Sequence, residues 1–206
     1  MWLCGSVGCG KTILSSTIIQ HTFRLRRSDR TRGVAFYYFD FNDPLKQNSA
    51  GLLRSLLLQL SVQLDDQCVE LADLHRRYAS GEPPTMALLI TLRRIIEAFV
   101  EVHIVIDALD ESPSGRVRDS VLEVLTQIQK WSIKHLHVLV TSRDEYDIRA
   151  ELAELNIMQL PIPSQEVNRD IAKYVAKNLR SQRGLRKWAN TFEDIERSLT
   201  SGADGM

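Results

Sequence analysis

The octapeptide Gly5-Ser6-Val7-Gly8-Cys9-Gly10-Lys11-Thr12 constrains this chain more than any other stretch, because it fills every fixed position of the phosphate-binding pattern G-x-x-x-x-G-K-[ST]. Glycines let the backbone curl so that its N–H groups point inward as an anion nest. A lysine at this place reaches β- and γ-phosphates, and the hydroxyl after it ligates Mg²⁺. Residues 5–12 are therefore the expected cradle of a nucleoside triphosphate, with Thr12 as a metal ligand. Ile13, Leu14, Ile18, Ile19 and Phe23 follow at helical spacing. The loop thus opens a helix over Thr12 to Arg24, whose N-terminus adds partial positive charge where phosphate would sit. The competing reading is a glycine-rich strand-to-helix turn with an unrelated lysine, so the residues downstream must decide.

They alternate strand and helix. Residues 1–4 are the tail of a first strand, short enough that the chain is expected to start inside it. Gly33 to Phe41 is a β-branched and aromatic run closed by Asn42-Asp43-Pro44, which predicts a strand and a turn. Leu52, Leu53, Leu56, Leu57, Leu60 and Leu64 recur at threes and fours, with Asn48 or Ser49 as N-cap: an amphipathic helix whose stripe is core. Another helical stretch around Leu71, Leu74 and Tyr78 ends at Gly81-Glu82-Pro83-Pro84. Thr85 is placed to cap a helix carrying Leu88, Leu92, Ile95, Ile96 and Phe99.

Val102-His103-Ile104-Val105-Ile106 reads as a buried strand and runs directly into Asp107-Ala108-Leu109-Asp110-Glu111. An apolar strand ending in an acid is what a Mg²⁺–nucleotide site needs, since the sheet delivers the carboxylate to its carboxyl edge, beside the phosphates. Asp107 is the candidate metal ligand, acting through water. Three acids in five residues could instead be a solvated turn and helix cap, a reading the phosphate loop makes the weaker one. His103 reads as a packed or edge histidine. After a helix over Ser114 to Trp131, the strand His137 to Val140 leads into Thr141-Ser142-Arg143. Arg143, permanently charged and suited to bidentate phosphate contact, is a candidate γ-phosphate sensor. The alternative for it is a surface pair with Asp144 or Glu145. A helix carrying Ile148, Leu152 and Leu155 and a short strand over Ile157 to Leu160 close at Pro161-Ile162-Pro163. That break divides a 1–163 core from a helical region over 164–206, in which Trp188 to Leu199 is expected to be helical.

Composition narrows the function classes. With 44% hydrophobic and 25% charged residues in 206, the chain has the makings of an ordinary globular core. Lys plus Arg and Asp plus Glu both number 26, so no overall field favours nucleic acid or an anionic membrane, and neither is expected as a partner. The basic run Arg24 to Arg32 is expected to solvate a helix end and loop. Cys4, Cys9 and Cys68 lack metal-ligand spacing and do not pair evenly, which fits free thiols in a reducing cytoplasmic setting. Cys9 reads as a small filler within the loop. Neither a long apolar run nor a basic leader is present in the sequence.

In this order and spacing, GSVGCGKT, VIDALDE and LVTSR resemble the NACHT class of signal-transduction P-loop NTPases, of the fungal receptor-like, nephrocystin-like N-terminal type. YYFDFNDP, LLRSLLLQL and the terminal GADGM add to that likeness, which covers nearly the whole chain. The resemblance implies an α/β three-layer sandwich with five parallel strands ordered 5-1-4-3-2, binding ATP or GTP with Mg²⁺. It also implies slow hydrolysis and a nucleotide-dependent switch that forms homo-oligomers through its NTPase core. On that pattern Gly10, Lys11 and Thr12 bind phosphate and Mg²⁺, Asp107 is the Walker B acid, Asp110 and Glu111 polarise water, and Arg143 is sensor 1. The family continues into a full helical domain, a winged helix and repeats, whereas this sequence stops where the helical domain has begun, which implies a fragment or a truncated gene product. Two other readings stay open: a truncated remnant that binds nucleotide and serves as an interaction module, and a small-molecule kinase. The latter needs a lid with arginines over the acceptor, for which Arg24 to Arg32 lies too early. The sequence has no Asn-Lys-x-Asp guanine motif, which favours ATP.

Overall fold

The computed structural model describes residues 1–64 and 68–203; the Asp204-Gly205-Met206 end of the GADGM stretch lies outside the described residues. The strands are β1 (Trp2–Cys4), β2 (Arg32–Tyr38), β3 (Glu101–Asp107), β4 (Leu136–Ser142) and β5 (Gln159–Pro161). The helices are α1 (Lys11–Ser28), α2 (Ser49–Ser61), α3 (Val69–Arg77), α4 (Thr85–Glu97), α5 (Arg116–Lys130), α6 (Tyr146–Glu154), α7 (Ser164–Ser181) and α8 (Phe192–Ala203). Each strand pair is parallel, and the order β2-β3-β4-β1-β5 is the expected 5-1-4-3-2 read from the other edge. A parallel neighbour can be reached only by a crossover, which is why helices separate the strands.

The pleat sends alternate side chains to opposite faces. Val102, Ile104 and Ile106 of β3 join Trp2, Cys4, Ala35, Tyr37 and Val140 in one large core with the leucines of α2, the apolar stripe of α4, and Val121, Leu125 and Ile128 of α5. Leu52, Leu53, Leu56 and Leu60 are completely buried there, so the leucine stripe of α2 is core as its spacing predicts. The other residues of the same strands face α1, where Val105 and Leu139 pack on Ile19, flanked by Leu3, Ile18, Phe23, Phe36 and Tyr38. This second layer is thin, and polar residues bound it at both ends of the strands.

Local signals decide the element ends. Asn48 caps α2, its side chain accepting from the Gly51 N–H at 2.9 Å. Thr85 does not cap α4; it is the first helical residue, and Pro84 holds the position before it with the extended backbone a proline readily supplies. Where a helix is expected from Trp188, a 3₁₀ stretch over Arg183–Thr191 intervenes, with Trp188 itself off helical geometry, and α8 begins at Phe192. α8 and α7 pack on each other. The arginine run after α1 is not simply solvated. The Arg26 guanidinium donates to the carbonyls of Arg30, Arg32 and Gln63, and Arg32 pairs with Asp29 and Glu101. These bonds tie the end of α1 to the start of β2 and the end of α2. Among the described residues no helix is long and apolar enough to cross a membrane.

Candidate phosphate-binding site

Residues 5–10 form the turn between β1 and α1, at the carboxyl edge of the sheet. Gly10 sits at φ +91° immediately before the first turn of α1, a left-handed conformation that L side chains rarely adopt, so the fixed glycine is a backbone requirement. The Lys11 ammonium donates to the carbonyls of Gly5 at 2.9 Å and Ser6 at 2.8 Å, holding its charge inside the curl of the loop. Cys9 is buried, with its sulfur 2.7 Å from where a Cβ on Gly5 would lie; it packs the loop as the filler reading expects. Ser6, Val7 and Gly8 are exposed at the tip.

Asp107, only 1% exposed at the end of β3, is held by three hydroxyls. Thr12 donates to its Oδ2 at 2.8 Å, while Ser15 and Thr141 both donate to Oδ1, the latter at 2.7 Å. The structure thus brings Thr12 and Asp107 together. Ser15 and Thr141 are additions that the sequence reading missed, although signals existed: Ser15 is one helical turn beyond Thr12, and the parallel register that pairs Ile106 with Val140 puts Thr141 beside Asp107. With Oδ1 doubly engaged and the carboxylate behind Thr12, the donor set suits a hard cation reached through the hydroxyl or through water.

Beyond Asp107 the chain turns sharply. Ala108 is left-handed at φ +57°, and its N–H donates to the Thr141 hydroxyl at 3.1 Å. A residue with a Cβ costs on the order of 1–2 kcal/mol in this conformation. The turn returns Asp110 and Glu111, in a 3₁₀ segment over Leu109–Glu111, to the mouth of the loop. Asp110 is bound by Arg143 twice, through the backbone N–H and through Nε, both at 3.0 Å. Arg143 therefore pairs with neither Asp144 nor Glu145: Asp144 is engaged by Arg149 and Glu145 by Arg118. Glu111 accepts the Phe41 N–H, at 3.2 Å, through Oε2. Its partial burial pushes the carboxyl above the usual glutamate range; the Phe41 bond opposes this, and the charges of Asp110 and Asp40 add to it.

Arg118 was not singled out by sequence, yet it fastens this region. It lies on α5 with a side chain 5% exposed, and its guanidinium donates to the carbonyls of Asp110 and Ser112, both at 2.7 Å, and pairs with Glu145 and Asp147. It thereby clamps the turn after β3 to the loop after β4. Its signal was an arginine on the apolar face of an amphipathic helix. Trp2 adds a second fastening, donating to the Ser142 hydroxyl at 2.8 Å.

Val7, Gly8, Gly10, Lys11, Thr12, Ile13, Asp110, Glu111 and Arg143 converge on one cavity of about 330 Å³. That volume is at the lower end for a small-molecule site and is rich in charge. A five-stranded parallel sheet of this order, with a glycine loop between the first strand and its helix and a buried acid on the neighbouring strand, defines a P-loop NTPase-like fold. The chain belongs to the family described as nephrocystin 3, N-terminal, whose model matches residues 1–143 and so spans the loop, the acid turn and Arg143. No curated protein sequence matches it. Among solved structures it is similar to Drosophila ORC bound to DNA, at 18% identity and a TM-score of 0.52, covering 97% of this chain and 48% of that one. It is similar also to the Aeropyrum pernix ORC1 protein in complex with DNA, at 14% identity and a TM-score of 0.54, covering 96% of this chain and 54% of that one. The chain spans about half the length of these structures, and the likeness is one of fold.

One expectation is corrected here. Zero net charge leads to the expectation of no nucleic-acid partner, but both of these proteins of similar fold are bound to DNA. A net charge averages over the whole molecule, so a balanced total is compatible with local basic surface and excludes no such partner.

Proposed function

We propose that this chain is a nucleotide-binding module that takes Mg²⁺ with a nucleoside triphosphate, ATP before GTP, and hydrolyses it slowly. The single observation that carries the reading is the Thr12–Asp107 hydrogen bond at the floor of the glycine loop, with Lys11, Glu111 and Arg143 facing the same cavity. Lys11 and the loop N–H groups would hold the phosphates; Thr12 and Asp107 would hold Mg²⁺, which supplies charge neutralisation of the phosphoryl oxygens. Glu111, whose burial favours its protonated form, would orient and accept a proton from water.

The switch role of the NACHT class is part of this reading, and so are assembly through the NTPase core and a division into a 1–163 core and a 164–206 helical region. Its support is the Arg143–Asp110 pair: Arg143 is 53% exposed and lines the cavity, so a γ-phosphate can draw it from Asp110 whereas a diphosphate cannot. A turnover assay with ATP alone tests the proposal. The intact chain should release phosphate; Glu111→Gln should abolish release while retaining bound nucleotide. Phosphate release that survives in Glu111→Gln would remove Glu111 from the base role, and binding without any turnover in the intact chain would reduce the module to a binding remnant.

A further inference from the structure

The α1 face of β3 and β4 carries a second polar cluster, at the amino edge of the sheet, as far along the strands from the phosphate loop as they reach. The parallel register that aligns Asp107 with Thr141 also sets His103 opposite His137, their rings 5.0 Å apart between centroids. Glu101, two residues before His103, projects from the same face of β3. Its Oε1 lies 3.2 Å from His137 Nε2 and 3.8 Å from His103 Nε2, and one ligand atom from each of the three residues falls within 4.8 Å of the others.

We propose that Glu101, His103 and His137 form a binding site for a divalent transition metal ion, with zinc the best match. Two imidazole nitrogens and one carboxylate oxygen are a donor set that zinc favours. Metal–ligand bonds of about 2.0–2.1 Å in a tetrahedron require ligand atoms roughly 3.3 Å apart, close to the 3.2 and 3.8 Å separations here. The site is also oriented from behind. Arg32 Nη1 binds the other carboxylate oxygen, Oε2, at 2.5 Å, leaving Oε1 turned to both histidines, and Asp29 pairs with Arg32 at 3.1 Å. With neutral imidazoles, the two acids and one arginine leave this group a net negative charge, which a dication reverses instead of compounding a positive one. His103 is largely covered while the His137 side chain is 54% exposed. Both line a groove of about 630 Å³ with Ile18 and Thr22 of α1, leaving room for a fourth ligand. Such a metal joins β3 to β4 at the edge opposite the nucleotide.

The test is titration of the whole chain with zinc chloride against a chromophoric chelator, with excess Mg²⁺ and in a Cys68→Ser background that removes the most accessible thiol. About one equivalent should bind with a dissociation constant in the micromolar range or tighter, and His137→Ala and Glu101→Gln should each weaken it at least about tenfold. His137 is largely exposed, so its replacement leaves the fold intact, which an unchanged melting temperature without metal verifies. Cobalt in place of zinc should give a visible spectrum without the near-ultraviolet band of a cobalt thiolate. Zinc affinity equal in the intact chain and in both variants, or no binding tighter than millimolar, overturns the site and leaves a histidine pair beside Glu101.

Discussion

The two faces of the central sheet are built to different rules. On one, Ile104, Ile106 and Val140 meet the leucines and isoleucines of α2, α4 and α5 in a continuous apolar mass. On the other, α1 covers only a narrow band centred on Val105 and Leu139, and the same strands end in Asp107 and Thr141 at one edge and in Glu101, His103 and His137 at the other. Since successive side chains of a strand alternate between faces, one segment such as β3 can serve both purposes. Its even-numbered residues supply burial, and its odd-numbered residues supply two carboxylates and an imidazole with a hydrophobic spacer, Val105, among them. The lesson is that stability and chemistry can be altered separately here, and substitutions should sort by face.

The largest effect should come from the thick face. Leu56 is wholly buried, so Leu56→Ala should cost about 3–4 kcal/mol in chemical denaturation, while the fraction that stays folded binds nucleotide as before. A loss of affinity in proportion to stability would mean that the faces are coupled. Arg118→Met probes a buried residue of α5 that also holds the acid turn. It leaves the carbonyls of Asp110 and Ser112 short of a donor and should cost about 2–3 kcal/mol, and here turnover should fall too, because the Asp110–Ser112 turn loses its clamp.

Arg143→Ala sharpens the contrast on the chemical side. It should weaken ATP binding several-fold, the loss of a charge-assisted bond of about 1.5 kcal/mol, and leave ADP affinity and melting temperature nearly unchanged. Equal losses for the two nucleotides, measured by calorimetry, would take Arg143 out of the sensor role. The smallest effect concerns Glu111. Its carboxyl is raised above the ordinary 4.5. The folded chain therefore holds a proton that the unfolded chain releases, and stability declines as pH rises from that ordinary value through the folded one. Glu111→Gln should flatten this slope, by under about 1 kcal/mol once solvent screening is counted, as read from melting curves across acid pH. The turnover of the intact chain should fall on the acid side of the same raised value.

The strands, the leucine stripe of α2 and a cap at Asn48 or Ser49 were legible in the sequence because each rests on short-range pattern: period two, period three to four, and a side-chain oxygen beside an orphan N–H, whereas the strand order came from the family resemblance. The site was legible as far as its loop and acids. What escaped depends on register between strands and on buried polar partners. Thr141 and His137 gain their meaning only when β4 is aligned with β3, and Arg118 only when α5 is laid over the turn it clamps. The true partner of Arg143 was missed for the same reason: Asp144 and Glu145 are its sequence neighbours, but the turn forced by left-handed Ala108 brings Asp110 to it instead.

The central claim, that the glycine loop is a nucleotide cradle supported by a separate core, is tested most directly by titrating Mg·ATP into the intact chain and into Lys11→Ala in a calorimeter, with melting curves of both. The account predicts binding by the intact chain, affinity at least about tenfold weaker in the variant, a difference of about 1.4 kcal/mol or more, and coincident melting. Equal affinity in a folded Lys11→Ala protein, or no binding by the intact chain, would contradict it.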